Sequence, residues 1–328
     1  MSASEAELLV ALQRGIPLAA RPFEELSRET GCDEAALLDC LARCRARGDA
    51  RRFGAVFDTR RLGYRSALCA VQVPPDEVDA AAAKLTPLTG VTHCYLREPA
   101  SGGGHPNLWF TLSYPADVFA AMADEVSARL RPNAVHVLPA IRRYKVDVVF
   151  GAATRAREED VDGDLPPVTA RDRAVIGALQ GDTEVRPDYF AGLAEKLGMK
   201  EWDLLSTLEL WRRNGRLKRI GLLLRHRAAG WTANGMCCWK VPGDSTAAGR
   251  ALADRGEVTH CYERPEAPNF PYNLFAMVHA CSVKAAAAQF AALDETVART
   301  LEAGPKPASV MLLSTREYKK TSMTFFAK

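Results

Sequence analysis

The sequence lacks the features that would carry it into a membrane. No apolar run approaches the roughly 18 residues a spanning helix needs. The opening stretch, MSASEAELLVALQRG, carries Glu5 and Glu7 and has no basic segment ahead of an apolar one, which argues against a secretory leader. Charge of one sign is also scarce: 43 Lys and Arg stand against 40 Asp and Glu, a net +3. That balance gives no reason to expect nucleic acid or a lipid surface as partner. Nine cysteines are scattered, an odd number with no CxxC pair. Cys40 and Cys44 are one helical turn apart, and Cys237 and Cys238 adjoin in a strand-like run. They read as small buried hydrophobes in a reducing, cytoplasmic protein, not as ligands or bridges. What is present is ordinary globular composition, 48% hydrophobic and 25% charged over 328 residues. That length suits about two to four domains.

Those domains are two copies of one unit. Arg52-Phe53-Gly54 aligns with Arg219-Ile220-Gly221, an offset of 167. The same offset joins Ala11-Leu12-Gln13 to Ala178-Leu179-Gln180, Gly48 to Gly215, and Gly63-Tyr64 to Gly230-Trp231. It also superimposes Val91-Thr92-His93-Cys94-Tyr95 on Val258-Thr259-His260-Cys261-Tyr262, five identities in a row. Near the ends, Arg142-Arg143-Tyr144-Lys145 matches Arg316-Glu317-Tyr318-Lys319. Residues 151–168, GAATRAREEDVDGDLPPV, have linker composition.

Each unit opens on a helical head, at 1–62 and 169–230. In the second, Thr169 caps a helix to about Gln180, Pro187 and Gly198 bracket another, and a third runs from about Lys200 to Arg213. The run Arg216 to Trp231 predicts a short hairpin, which makes the head a winged helix-turn-helix. Each unit continues as strand, helix, two strands, helix, strand, at 63–150 and 231–328. The fold class expected is therefore α+β: a tandem duplication of winged helix-turn-helix plus ferredoxin-like (βαββαβ) domain, forming an internal pseudo-dimer.

This order resembles the Lrp/AsnC transcription regulators, so DNA is the first partner to weigh. In such heads the start of the third helix meets base edges. Here those starts are Asp33-Glu34 and Lys200-Glu201-Trp202-Asp203, with carboxylates where phosphates would approach. No DNA binding is expected; the heads read as packing and dimerisation modules.

Two constellations look chemical. Lys218, Arg219, Arg225, His226 and Arg227 crowd the second wing, and guanidinium forks bind carboxylates bidentately. The first copy has Arg51, Arg52, Arg60 and Arg61, but Asp58-Thr59 replaces Arg225-His226. The second constellation is the repeated strand: His93 shares a face with Tyr95, and His260 with Tyr262. A satisfied core histidine is the competing reading of each. His105, after Gly102-Gly103-Gly104, reads as surface; His136 and His279 have no supporting context.

Three segments carry a closer resemblance: Lys218-Arg219-Ile220-Gly221 through Arg225-His226-Arg227 and Gly230-Trp231 to Met236; Val258 to Pro265; and Pro271 to His279. Over nearly the whole chain they resemble siroheme decarboxylase, in the fused two-half form of heme d1 biosynthesis. The resemblance implies loss of CO2 from the C12 and C18 acetates of siroheme, giving 12,18-didecarboxysiroheme. It implies no further cofactor, since the iron comes with the substrate. His226, His260 and Tyr262 are then the catalytic candidates, with His226 or His260 a candidate ligand to the siroheme iron. Arg219, Arg225, Arg227, Trp231, Arg264 and Tyr272, with Arg52, Arg60, His93 and Tyr95, are the substrate-binding candidates. Met236, Phe275 and Met277 offer apolar walls. The first copy departs from the pattern at Thr59 and over Ala100 to Pro106, so the fuller set lies in the second copy; one site per half stays open. Two other readings remain, an Lrp/AsnC-type regulator and a siroheme carrier without catalysis. A further homodimer is left open.

Overall fold

A computed structural model describes residues 4–99, 104–146, 149, 165–225, 230–301 and 306–326. The first unit runs α1 (Glu5–Arg14), α2 (Pro22–Thr30), α3 (Glu34–Ala46), β1 (Ala50–Phe57), β2 (Tyr64–Val71), α4 (Val78–Leu85), β3 (Val91–Pro99), β4 (Leu108–Pro115), α5 (Phe119–Arg129), β5 (Val135–Pro139) and β6 (Arg142–Val146). The second runs α6 (Ala170–Leu179), α7 (Tyr189–Lys196), α8 (Glu201–Arg213), β7 (Leu217–Leu224), β8 (Ala233–Trp239), α9 (Thr246–Ala253), β9 (Val258–Glu263), β10 (Leu274–Ala280), α10 (Val283–Thr300) and β11 (Ser309–Lys320). Local chemistry sets the starts. Ser4 with Glu7 and Thr169 with Asp172 form capping boxes on α1 and α6. Asp33 accepts from the Ala36 N–H at the start of α3, while Asp203 on α8 pairs with Arg171. No helix among the described residues is long and apolar enough to cross a membrane.

The expected second-wing hairpin is not what the chain forms. β7 pairs antiparallel with β1 of the other head, with Gly54 opposite Gly221. The two heads are thus one body with one core, in which Phe23, Leu37 and Phe53 lie with Ile176, Phe190, Leu208 and Trp211. The repeated motifs are the two sides of this contact. A Cβ on Gly221 would sit 2.5 Å from the Leu12 carbonyl oxygen, and one on Gly54 would sit 2.7 and 2.5 Å from those of Leu179 and Gly181. Ile16 N–H donates to Ile220 O at 2.8 Å, and its counterpart Thr183 N–H to Phe53 O at 2.9 Å. Only glycine lets the first helix of one head end against the strand of the other. A hairpin within one wing would forfeit this reciprocal seal.

The remaining strands form one sheet in the order β5-β2-β4-β3-β11-β8-β10-β9-β6. Each half contributes the ferredoxin-like order 4-1-3-2. The expected single last strand of the first unit is split: β5 pairs with β2 of its own half and β6 with β9 of the other. β11 likewise spans β8 and β3. Because β5 and β6 are separated only by residues 140 and 141, the two ends of the order are one chain segment, and the sheet closes into a barrel. Helices α4 and α5 cover one half from outside, α9 and α10 the other.

The repeated Arg-x-Tyr-Lys motif locks the exchange. Lys145 reaches across to donate to Arg255 O at 2.8 Å, beyond the end of α9. Lys319 donates to Thr86 O and Leu88 O, each at 2.8 Å, beyond the end of α4. A cation at a helix C-terminus meets the negative end of its dipole. Tyr144 lies flat on Gly249, where a Cβ would stand 2.3 Å from the ring.

Gly54→Ala and Gly221→Ala are each expected to destabilise by about 1–3 kcal/mol, the usual cost of overpacking against fixed backbone. Gly177→Ala on α6 has open space around it and should be neutral or stabilising by up to about 1 kcal/mol. Thermal melts of the three variants check this.

Candidate active site

Alternation on β3 and β9 sends Cys94 and Cys261 outward into the helix-covered cores and turns His93, Tyr95 and Arg97, and His260, Tyr262 and Arg264, to the barrel interior. Arg97 stands above the Tyr95 ring at 5.2 Å and Arg264 above Tyr262 at 4.6 Å. Each guanidinium finds one carbonyl of the other half's last strand or of the strand beside it: Arg264 donates to Leu138 O of β5 at 2.6 Å and Arg97 to Leu312 O of β11 at 3.5 Å. Arg97 is 5% exposed. Among the described residues neither arginine has a carboxylate partner, and Arg264 Nε is buried with no partner at all. Burial alone lowers the proton affinity of both. Burying such a cation unpaired costs several kcal/mol, of which the ring contact returns part. Arg97 is absent from the candidates drawn from the sequence; extending the repeat by two residues, to Thr-His-Cys-Tyr-x-Arg, finds it.

The histidines are held by their neighbouring threonines. Thr259 donates its hydroxyl proton to Met277 O at 3.2 Å, so its oxygen accepts from His260 Nδ1 at 3.1 Å. Nε2 of His260 is thereby left as the basic nitrogen. His93 Nδ1 lies 2.9 Å from Thr92 Oγ1. Burial pushes His93 down to about 3, with help from Arg51, Lys320, His260 and Arg97. It pushes His260 down to about 4, with help from Lys218 and Arg264. The two imidazoles are near enough that His260 acts on His93. Met277 lies opposite His260, and Phe275 opposite Tyr262, so those two expected walls are in place. Met236 is buried in the same interior.

The site residues are divided between the halves differently from the sequence expectation. Arg225 follows β7, and its N–H donates to Asp49 O at the start of β1. It acts on Arg51, which also feels Tyr95 and Glu317. Arg225 therefore joins the station of His93, not that of His260. His226 and Arg227 lie outside the described residues. The His260 station instead receives two first-copy residues, Asp58 of the first head and Arg143 of β6: Arg143, opposite Tyr262, holds Asp58 at 3.2 Å, and Lys218 of β7 is 3.9 Å from Asp58. Among the described residues each station is built from both copies, because wing strands and last strands are exchanged.

Other expected residues fall elsewhere. Arg52 is turned along its own strand to Ala55 O and Ser322, and the Arg219 Cβ lies 3.1 Å from where a Gly15 side chain would be. Arg60 pairs with Asp58. Trp231 stands half-buried before β8. Tyr272 lies beyond Arg264, which itself is about 13 Å along the strand from His260. There its ring meets that of Phe270 at 4.7 Å, inclined by 60°. His105, expected at the surface, is half-buried: its ring meets Phe270 and Tyr272 at 5.7 and 5.9 Å, and its Nδ1 is enclosed. The aromatic segment of one half draws it in.

Comparison with known proteins agrees with this architecture. The AsnC-like ligand binding domain family matches residues 61–145 and 228–319, and the siroheme decarboxylase NirDL-like HTH domain matches residues 5–51. The chain is 33% identical to the siroheme decarboxylase of Hydrogenobacter thermophilus, covering 98% of this chain and 95% of that one. It is 36% identical to the siroheme decarboxylase NirDL subunit of Paracoccus denitrificans over 84% of each. The crystal structure of siroheme decarboxylase NirDL in complex with an iron-uroporphyrin III analogue superimposes with a TM-score of 0.71 at 29% identity, covering 99% of this chain and 95% of that one.

Two histidines kept neutral by the native fold make stability depend on pH. Below about 6.5 the unfolded chain binds the protons that the folded one refuses. Stability is full above that value. It should fall as pH drops towards the native values near 4 and 3, by up to about 1.4 kcal/mol per pH unit for each histidine. Denaturant melts between pH 7 and 5 check it: the slope should flatten in His93→Gln.

Proposed function

The chain belongs to the siroheme decarboxylase family, and from that premise we propose that it acts as a carboxy-lyase on siroheme. It would remove CO2 from the C12 and C18 acetates to give 12,18-didecarboxysiroheme, a step towards heme d1, in the cytoplasm. The observation that carries this reading is the pair of inward guanidiniums, Arg97 buried and Arg264 half-buried with its Nε enclosed, which among the described residues have no carboxylate to neutralise them. Siroheme brings eight carboxylates on an apolar macrocycle, and the interior offers cations beside Phe275, Met277 and Met236.

The chemistry needs little else. When the bond to the carboxylate carbon breaks, CO2 leaves and the electron pair passes into the macrocycle. One proton must then reach the methylene carbon. No oxidant or reductant is consumed and no further organic cofactor is called for. Histidine supplies the proton. Burial and cations keep His93 and His260 neutral in the protein alone. Carboxylates of a bound substrate oppose those cations and raise the histidines' proton affinity, so binding itself arms the donor. Tyr95 and Tyr262 keep Arg97 and Arg264 aimed inward, and Arg51 and Arg225 hold carboxylates at the rim. His260 Nε2, its Nδ1 being engaged, fits a ligand to the substrate's iron equally well, and His226 and Arg227, next in sequence to Arg225, remain candidates.

Anaerobic incubation with siroheme, followed by mass spectrometry, separates enzyme from carrier. A loss of two CO2 is expected; siroheme recovered unchanged overturns the reading. His93→Gln should lower the rate on the order of 10²–10⁴-fold.

A further inference from the structure

The two stations repeat the same strand, but their charges differ at one place. The offset that superimposes His93 on His260 puts Asp58 where the other wing has Arg225. The Asp58 side chain is 8% exposed. Both terminal nitrogens of Arg143 reach its Oδ2 at 3.2 Å, Arg60 approaches at 3.4 Å and Lys218 at 3.9 Å. The Arg60 N–H adds a bond of 3.0 Å to Oδ1. Arg143 faces Tyr262 across the strand pair. A carboxylate of the protein therefore already lies among the cations beside Tyr262 and His260.

The His93 station has the inverse arrangement. Glu317 stands opposite Tyr95, in the place of Arg143, and it is exposed. Arg225 stands in the place of Asp58. Among the described residues Arg51, Arg97 and Arg225 make no ion pair. Arg51 is held instead by a neutral donor–acceptor, Ser322 Oγ, at 2.8 Å.

We propose that Asp58 is a built-in counter-anion that fills the carboxylate position of the His260 station, so that only the His93 station takes up the acetate that loses CO2. This rests on the siroheme reading. It assigns the two decarboxylations to one place, with the substrate turned between them, and leaves His260 as a wall of the macrocycle pocket. Two carboxylates cannot share one cation cluster without repulsion, and the resident one is tethered and needs no ordering on binding.

The test uses free acetate as the probe and needs no siroheme. The full chain is labelled with 15N-histidine, and ring resonances are assigned with His93→Gln and His260→Gln. Acetate should shift the His93 resonance saturably and leave that of His260 in place. In Asp58→Asn, and independently in Asp58→Ser, the apparent affinity at His260 should rise at least tenfold. Equal response of both rings in the parent, silence of His93, or a His260 that stays silent in folded Asp58 variants would each overturn the proposal. Because no turnover is read, failure here is distinct from siroheme passing through the enzyme unchanged.

Discussion

An isolated four-stranded ferredoxin-like sheet has two open edges, and in each half one of them is the strand that carries the chemistry. β3 with His93, Tyr95 and Arg97 and β9 with His260, Tyr262 and Arg264 would both face solvent. Exchange of the last strands removes those edges: β11 covers β3, and β6 covers β9. Burial of the histidines, stacking of the arginines on tyrosines and the carbonyls of Leu138 and Leu312 that receive them all follow from that closure. The linked duplication keeps the two halves at high effective concentration, which favours exchange within one chain.

Closure also explains why function and stability pull apart here. The interior gathers Arg97, Arg264 and Arg51 around two neutral imidazoles, in a medium where a charge without a counter-ion is unfavourable. A core chosen for stability would place Leu or Met at those positions. The cost is offset in the heads, where helix ends, glycines and wing strands interlock across the pseudo-two-fold, and at the lysine caps of α4 and α9. The same interlocking delivers Arg51, Lys218, Asp58 and Arg225 to the stations, which makes the heads part of the site.

Much of this was legible in the residues. The repeat, the helices of the heads and the βαββαβ order follow from periodicity, caps and the constant offset, while most of the expected linker, 151–168, lies outside the described residues. The His-x-Tyr face follows from strand alternation. What the sequence does not show is which copy pairs with which. Arg216 to Trp231 has the length and composition of a hairpin, and nothing local says that β7 will prefer Gly54 of the other head. That one long-range choice moves Arg225 from His260 to His93 and brings Asp58 in its place. Arg97 lies past the run of five identities, which ends at Tyr95 because Leu96 and Glu263 differ. His105 was misplaced because the preceding glycines suggest an exposed loop, while its packing against Phe270 and Tyr272 depends on the other half.

The central claim is that Arg97 and Arg264 are kept unpaired for a polyanionic tetrapyrrole. Its most direct test is the double variant Arg97→Met/Arg264→Met, melted and then titrated spectrophotometrically with siroheme. The variant should melt no lower than the parent, because an uncompensated charge has left the interior, while its affinity for siroheme falls on the order of 10²-fold or more, about 1.4 kcal/mol per tenfold step. A variant that melts lower and binds siroheme as tightly as the parent would contradict the account.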